Sequence, residues 1–269
     1  MSRTVSLPMY DFVEVKASTS TLLESISREL RGLGEDVVAD SPESSEHSEL
    51  MSYWLSGQMY MSQSCGLPYV EELSTVVDVL GTFRWNDISD DFGNYRTHIV
   101  VRGEHGATTA SELRGARPVI STTQSLSGWC SLGCALAEVS RDPDFVQPYL
   151  IGHHHAGSLQ LLQDGIADVA SIDPATYQLF RRFRPSLVHG LRIIGSGPPM
   201  PATPIIASKT RTAPMSDLRS VLHRVVGDNL LRDEMSEIGI VGFVNRDASD
   251  YEMIRDLVAI AEVVLPRRE

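Results

Sequence analysis

Short apolar runs and amphipathic helical stretches alternate along this chain of 269 residues, and this alternation restricts its fold more than any other feature. Runs at 59–62, 76–83 and 118–122 have the length and apolar character of buried strands. Stretches at 18–33 and 128–139 carry apolar side chains at helical spacing. Strands that alternate with helices imply sheets that are mainly parallel and covered by helices. The predicted fold class is therefore α/β.

The same alternation continues through the rest of the chain. Further strands are predicted at 5–10, 98–102, 149–152, 169–172, 205–207 and 240–243, and further helices at 110–114, 156–163, 175–183, 215–226, 230–236 and 250–264.

Two connections divide this pattern into two lobes. The segment 195–204 is dense in proline and glycine, which marks a connection rather than an element. A second crossing is expected near 94–102. The prediction is a discontinuous lobe one, residues 1–97 and 204–269, and a lobe two, residues 98–203, joined by a two-strand hinge. In open α/β sheets ligands bind at the carboxyl ends of the strands, which predicts a ligand cleft between the lobes.

The charge balance excludes one large class of partners. The formal net charge is −12, and no basic patch is visible in the sequence. A nucleic-acid surface needs cationic side chains to neutralise phosphates, so no nucleic-acid partner is expected. An anionic ligand would have to be held by local donors against this overall field.

Targeting and cysteine patterns are both weak. We expect no membrane insertion, because no run of about 18 apolar residues occurs. No leader pattern is visible, which predicts a cytoplasmic protein as written, or a periplasmic one if a leader was removed. Cys65, Cys130 and Cys134 form neither a disulfide framework nor a finger-type metal spacing, so no metal and no cofactor is expected.

The first candidate site is the turn Ser125-Leu126-Ser127-Gly128, which lies between an apolar strand and a predicted helix. Free amides and the positive end of the helix dipole at such a junction can hold phosphate, phosphonate, sulfonate or carboxylate groups. Gly128 would let the backbone approach the ligand closely. The alternative is an ordinary helix cap without a ligand.

The second candidate is the run His153-His154-His155, again at a strand-to-helix junction. Neighbouring side chains diverge on a strand or helix, so the three imidazoles cannot all face one metal ion. One of them pointing into a cleft as a hydrogen-bond donor is the simpler prediction.

Three more strand ends carry polar side chains. Tyr10 is the last residue of the strand predicted at 5–10. Gln63 and Ser64 directly follow the strand predicted at 59–62, and Cys65 is next to them. Asp173 follows the strand at 169–172, either as the cap of the next helix or as a ligand-facing acceptor.

With these residues assembled, the chain resembles the phosphate/phosphonate branch of the type II periplasmic-binding-protein fold, the substrate-binding component of phosphonate ABC transporters. The motifs keep the family order over about residues 5 to 207. They are Leu7-Pro8-Met9-Tyr10-Asp11, Ser62-Gln63-Ser64-Cys65-Gly66, Tyr95 before Ile99-Val100-Val101-Arg102, Leu113-Arg114-Gly115, Ser125-Leu126-Ser127-Gly128, His155 with Ser158-Leu159, and 165–173.

The resemblance implies a small-molecule binding protein whose two lobes close around a polar or anionic, phosphonate-like ligand. It implies an ABC permease or a regulatory partner, and a monomer or a homodimer. The implied ligand-binding residues are Tyr10, Gln63, Ser64, Tyr95, Ser125, Ser127, Gly128, His155 and Asp173.

An enzyme remains the alternative. The same fold serves cytoplasmic enzymes of menaquinone and thiamine-pyrimidine biosynthesis, and a lyase or synthase of that kind would use His155, Asp173 or Cys65 as acid, base or nucleophile. No motif ties a nucleophile to a base here, which favours binding over catalysis. A third option is a dimeric interaction protein that uses the helix at 250–264.

Overall fold

The computed structural model describes residues 2–42 and 46–267. The chain divides into two compact units. Unit 1 comprises the described residues of 1–94 and 201–252, and unit 2 those from 95 to 200 and from 253 onwards. The strands in chain order are β1 (Arg3–Val5), β2 (Val37–Ala39), β3 (Met59–Gln63), β4 (Val77–Trp85), β5 (Asn94–Tyr95), β6 (His98–Arg102), β7 (Pro118–Ile120), β8 (Leu150–Ile151), β9 (Val169–Ile172), β10 (Leu191–Ser196), β11 (Met200–Pro201), β12 (Pro204–Ser208) and β13 (Ile240–Asn245).

Helices connect these strands, and none in the described part of the chain is long and apolar enough to cross a membrane. The α-helices are α1 (Lys16–Gly32), α2 (His47–Leu55), α3 (Gly66–Pro68), α4 (Ser131–Val139), α5 (His155–Gln163), α6 (Pro174–Phe183), α7 (Met215–Val226), α8 (Arg232–Ile238) and α9 (Met253–Ala261). Short 3₁₀ turns occur at Pro8–Tyr10, Val13–Val15, Ala110–Glu112, Pro185–Leu187, Asn229–Leu231 and Ala248–Tyr251, and π-helical turns at Tyr69–Leu73 and Leu126–Cys130.

The sheet of unit 1 has the order β13-β4-β12-β3-β1-β2. β1 pairs in parallel with both β2 and β3. β12 lies between β3 and β4 and is antiparallel to both, and β13 is antiparallel to β4. A buried hydroxyl cluster supports the centre of this sheet: the Ser6 and Ser62 hydroxyls are 2.8 Å apart, and the Trp54 indole donates to Ser62 at 3.1 Å.

The sheet of unit 2 has the order β10-β6-β9-β7-β8, and β5 pairs with β11 in a separate two-stranded sheet. β7 is parallel to β8 and β9, whereas β6 is antiparallel to β9 and β10. The α/β fold class is thus confirmed, but the sheets are mixed rather than mainly parallel. β6 and β12, the first long strands after the chain enters a unit, run antiparallel to their neighbours.

The C-terminal segment groups with unit 2, whereas the predicted lobe one included all of 204–269. α9 packs against α4, where a Cβ atom at Gly133 would lie 2.7 Å from the Cβ of Ala261. The buried indole of Trp129 donates to the Leu265 carbonyl at 2.9 Å. Close helix packing at a glycine and this hydrogen bond hold the segment in place, so the chain passes between the units a third time, at 252–253.

Local differences from the predicted elements have simple causes. The strand predicted at 5–10 ends at Val5, because Pro8 begins a 3₁₀ turn and has no amide for a sheet ladder. The helix predicted at 110–114 is a single 3₁₀ turn. β2 and β10 were not predicted. β2 has only three residues, and β10 is an edge strand that mixes polar and apolar residues, so neither shows a clear periodic pattern in the sequence.

One carboxylate ties together the base of unit 2. Asp168 accepts hydrogen bonds from the backbone amide and guanidinium of Arg117 at 2.8–3.1 Å and from the Arg102 guanidinium at 3.0 Å. Burial raises the pKa of Asp168, but the hydrogen bonds and charges of the two arginines outweigh it, so that this pKa lies below its ordinary value. The aspartate therefore holds the start of β7 and the end of β6 beside β9.

Replacing Asp168 with asparagine is expected to lower the free energy of unfolding by about 1–3 kcal/mol, since charge-assisted hydrogen bonds to two arginines are weakened. A folded pKa below the unfolded one contributes stability that is present above the unfolded pKa and disappears as the pH falls through the folded one. The gap between wild type and D168N in urea unfolding should therefore shrink below about pH 4.

Asp144→Asn is the matched control, because Asp144 is an exposed aspartate of the same unit. It should change the unfolding free energy by less than about 0.5 kcal/mol. Equal stabilities of D168N and D144N would contradict the structural role of Asp168.

Candidate functional site

Polar segments gather at one edge of the sheet of unit 2. β7, β8 and β9 are parallel, so their carboxyl ends at Ile120, Ile151 and Ile172 lie on the same edge. β6 runs the opposite way and begins at this edge, where His98 pairs with Ile172. The segments that start at Ser121, Gly152 and Asp173 therefore leave the sheet side by side, as expected for a binding edge.

The turn after β7 is shaped by hydrogen bonds to Ser125. Its hydroxyl accepts from the Gly128 amide at 2.9 Å, and its carbonyl accepts from Cys130 at 3.1 Å, which opens the helix with a π-helical turn before α4. A Cβ atom at Gly128 would lie only 2.0 Å from the hydroxyl oxygen of Ser121. A side chain at this position would displace the Ser121 hydroxyl, so glycine fits the close packing of the turn against Ser121.

His155 joins this turn to the start of α5. Its Nε2 lies 3.0 Å from the hydroxyl oxygen of Ser127, and the tautomer decides which of the two donates. Burial, with a smaller effect of the charge on His154, lowers the pKa of His155 to about 4. The imidazole is therefore neutral near pH 7 and offers one donor and one acceptor.

The three consecutive histidines diverge in the structure. His153 adopts a left-handed backbone conformation with φ of 63° and is exposed. The His154 Nδ1 caps α5 by accepting from the Gly157 amide at 2.9 Å. His155 alone contacts the Ser125–Gly128 turn, so each ring has a separate environment.

Asp173 occupies the predicted cap position. Its carboxylate accepts from the Thr176 amide at 2.8 Å and so caps α6, and it is 4 % exposed. Burial lowers the pKa of His98, the Asp173 charge opposes this shift, and Arg181 adds to it. Tyr95, which is predicted to line the same site, lies buried in β5.

The predicted residues of unit 1 form a second group. Tyr10 packs against Trp85 with ring centroids 4.3 Å apart, and both line a small cavity together with Gln63. The Gln63 amide donates to the Thr203 hydroxyl at 2.8 Å. The hydroxyl of Ser64 is buried and has no hydrogen-bond partner among the described residues.

Cys65 precedes the short helix α3, is partly exposed and forms no disulfide. It lies in unit 1, whereas His155 and Asp173 belong to unit 2. The three residues thus lie at three different helix starts: Cys65 precedes α3, His155 begins α5 and Asp173 precedes α6.

Sequence patterns missed two further polar groups of unit 2. Ser121 directly follows β7, and Ser158 lies in the first turn of α5; they are 6 % and 1 % exposed. Neither hydroxyl has a partner within residues 2–42 and 46–267. Ser121 fell inside the strand predicted at 118–122, whereas β7 ends at Ile120, so its position after a strand was not apparent from the sequence.

Solved structures with the same fold include several binding proteins. PhnD1 from Prochlorococcus marinus, in complex with methylphosphonate, matches with a TM-score of 0.78 and 12 % identity over 98 % of this chain and 99 % of its own. A binding protein component of an ABC phosphonate transporter from Pseudomonas aeruginosa matches with a TM-score of 0.73 and 12 % identity over 97 % and 87 %. XAC2383 from Xanthomonas citri, bound to ATP, gives 0.71 and 16 % over 97 % of both chains. At these identities the likeness shows the fold.

No curated protein matches the sequence. The model of one family, described as the periplasmic substrate-binding protein of a phosphonate ABC transporter, matches residues 5–251. This match supports a ligand-binding protein and not the enzyme alternative. Because it spans most of the chain, the protein belongs to the family of periplasmic substrate-binding proteins of phosphonate ABC transporters.

Proposed function

We propose that this protein binds a small tetrahedral oxyanion, a phosphonate or a sulfonate, at the carboxyl-end edge of the sheet in unit 2. Ser125, Ser127, Gly128 and His155 would supply the contacts. The observation that carries the proposal is the 3.0 Å approach of Ser127 to His155, because it joins the polar starts of two helices at one point.

The chemistry of this point suits an anion. The helix starts of the 126–139 segment and of α5 bring backbone amides and the positive ends of two helix dipoles to the edge. Ser127 and the neutral His155 share one hydrogen bond, and the pair keeps one further donor that needs no charge of its own. PhnD1, which shares the fold, is described in complex with methylphosphonate, and this supports the choice of ligand class.

Asp173 and Tyr95 would contact the remainder of the ligand. A buried carboxylate beside His98 is an acceptor, and it would favour a ligand whose far end carries a hydroxyl or an amine. Tyr10, Gln63 and Ser64 are the contribution that we propose for unit 1. Among them the Ser64 hydroxyl is the group with an unused hydrogen bond.

The partner and the compartment follow from the family. We propose that an ABC permease receives the ligand from this protein and that the complex operates in the periplasm, the compartment of the family description. The cytoplasmic location expected from the sequence as written is the competing prediction.

Removing either central side chain should weaken binding. We expect Ser127→Ala and His155→Ala each to reduce the affinity for methylphosphonate about tenfold or more, because either change removes the pair's donor to the anion or the partner that orients this donor. Isothermal titration calorimetry measures the change, and thermal unfolding checks that both variants fold.

The matched controls are Ser186→Ala and His189→Ala, which alter exposed side chains of the same unit. Their affinities should equal that of the wild type. Unchanged affinity in both S127A and H155A would remove this site, and tight ATP binding with no binding of methylphosphonate or methanesulfonate would overturn the ligand class.

Ser64→Ala tests the contribution of unit 1. Since the Ser64 hydroxyl is buried without a partner, its loss should leave the unfolding temperature of the ligand-free protein unchanged or slightly higher. The affinity for methylphosphonate should fall about fivefold. Wild-type affinity in S64A would exclude this residue from the site.

Fractionation of cells that express the full-length gene tests the compartment. The proposed transport function predicts the protein in the periplasmic fraction, with a cytoplasmic enzyme and a periplasmic enzyme as fraction markers. Recovery with the cytoplasmic marker would favour the cytoplasmic prediction and contradict a direct role in uptake.

A further inference from the structure

Three buried polar atoms at the carboxyl-end edge of the sheet in unit 2 have unused hydrogen-bonding capacity. They are the hydroxyl oxygens of Ser121 and Ser158 and the Nδ1 atom of His155, none of which has a partner in the part of the chain that the structure describes. Buried polar groups nearly always have partners, and each that lacks one costs free energy. Three such atoms on two adjoining segments therefore point to an external partner.

These atoms lie close to the turn that forms the proposed site. The Ser121 and Ser125 hydroxyl oxygens are 2.0 and 3.0 Å from the position that a Cβ atom would take at Gly128. The Ser158 hydroxyl oxygen is 2.7 Å from the equivalent position at Gly152. The two places are adjacent, because β7 pairs with β8 and the Gly152 amide donates to the carbonyl that precedes Ser121 at 2.8 Å.

We propose that Ser121 and Ser158 are additional ligand-binding residues, whose hydroxyls donate to oxygens of a tetrahedral head group with a single negative charge. This inference rests on the proposed function, since it completes the same site. A tetrahedral oxyanion offers several acceptor oxygens, and the two hydroxyls lie on the two segments that also carry Ser127 and His155.

The preference for one charge follows from the kinds of donor present. The donors at the proposed head-group site are hydroxyls, backbone amides and a neutral imidazole. A second negative charge on a buried ligand would need a cation beside it, and none of these groups is a cation. The Arg96 guanidinium donates to the Gly197 carbonyl at 3.1 Å. The charge of Arg181 lowers the pKa of His98.

Asp173 follows β9 on the same edge of the sheet, and its negative charge further disfavours a dianion. The neighbouring titratable side chains are His154, which caps α5, and His98, which packs against Tyr177. The net charge of −12 acts in the same direction as Asp173.

The test combines stability and affinity. Ser121→Ala and Ser158→Ala should each weaken binding of methylphosphonate and of methanesulfonate about fivefold. The same variants should unfold at an unchanged or higher temperature without ligand, because each removes a buried hydroxyl that has no partner. A purely structural serine would show the opposite pattern.

Ser131→Ala supplies that comparison. Ser131 is equally buried in unit 2, and its hydroxyl lies 2.6 Å from the Thr97 hydroxyl oxygen. Its removal should lower the unfolding temperature and leave both affinities unchanged.

The charge preference is tested by the ratio of the two affinities as a function of pH. Methanesulfonate keeps one charge, whereas methylphosphonate acquires a second as the pH rises. Titrations of the protein itself affect both ligands and largely cancel in the ratio. We expect methylphosphonate to lose affinity relative to methanesulfonate through its second ionisation.

Each outcome decides a different claim. Wild-type affinities in both S121A and S158A, with binding by the wild type intact, would overturn this inference and leave the proposed function standing. A ratio that moves toward methylphosphonate with rising pH would overturn the single-charge preference. Failure of the wild type to bind either ligand would overturn the proposed function and the inference with it.

Discussion

The parallel pairing of β7 with β8 and β9 is the constraint on which the account of unit 2 depends. It places the carboxyl ends of three strands on one edge, and each end continues into a helix. The ladder fixes the backbone, so the polar residues that follow each strand start from the same edge of the sheet. Asp168 holds the other end of this arrangement through Arg117 and Arg102.

At the binding edge, hydrogen-bond donors replace charge. The neutral His155, the serine hydroxyls and the amides at two helix starts can stabilise an anion, although the chain carries a net charge of −12. Such donors are directional, and their strength in a buried site depends on fixed geometry. Gly128 is part of that geometry, because any side chain there would meet the hydroxyl of Ser121.

The sequence was informative where the signal is local. The strand-to-helix junctions that carry Ser125, His155 and Asp173 were predicted from apolar runs and capping residues, and the structure places all three at such junctions. The direction of β12 and the position of the C-terminal segment depend on contacts between distant residues, such as Gly133 with Ala261, which periodicity does not register.

The buried hydroxyls that lack a hydrogen-bond partner in the described structure could not be predicted from sequence patterns either. Ser158 belongs to the motif with His155 that carries the family resemblance, but its burial and its lack of a partner in the described structure are what mark it as a candidate ligand-binding residue. The role of each candidate residue in ligand binding stays a prediction. What the structure adds is the placement of Ser121, Ser127 and His155 around one turn of unit 2.

The central claim is that a tetrahedral oxyanion occupies this edge of unit 2, and a crystal structure of the protein grown with methylphosphonate tests it most directly. The account predicts phosphonate oxygens within hydrogen-bond distance of Ser127 and His155, with the Ser121 and Ser158 hydroxyls turned toward them. Phosphonate bound elsewhere, with ordered water at these four side chains where its oxygens are expected, would contradict it.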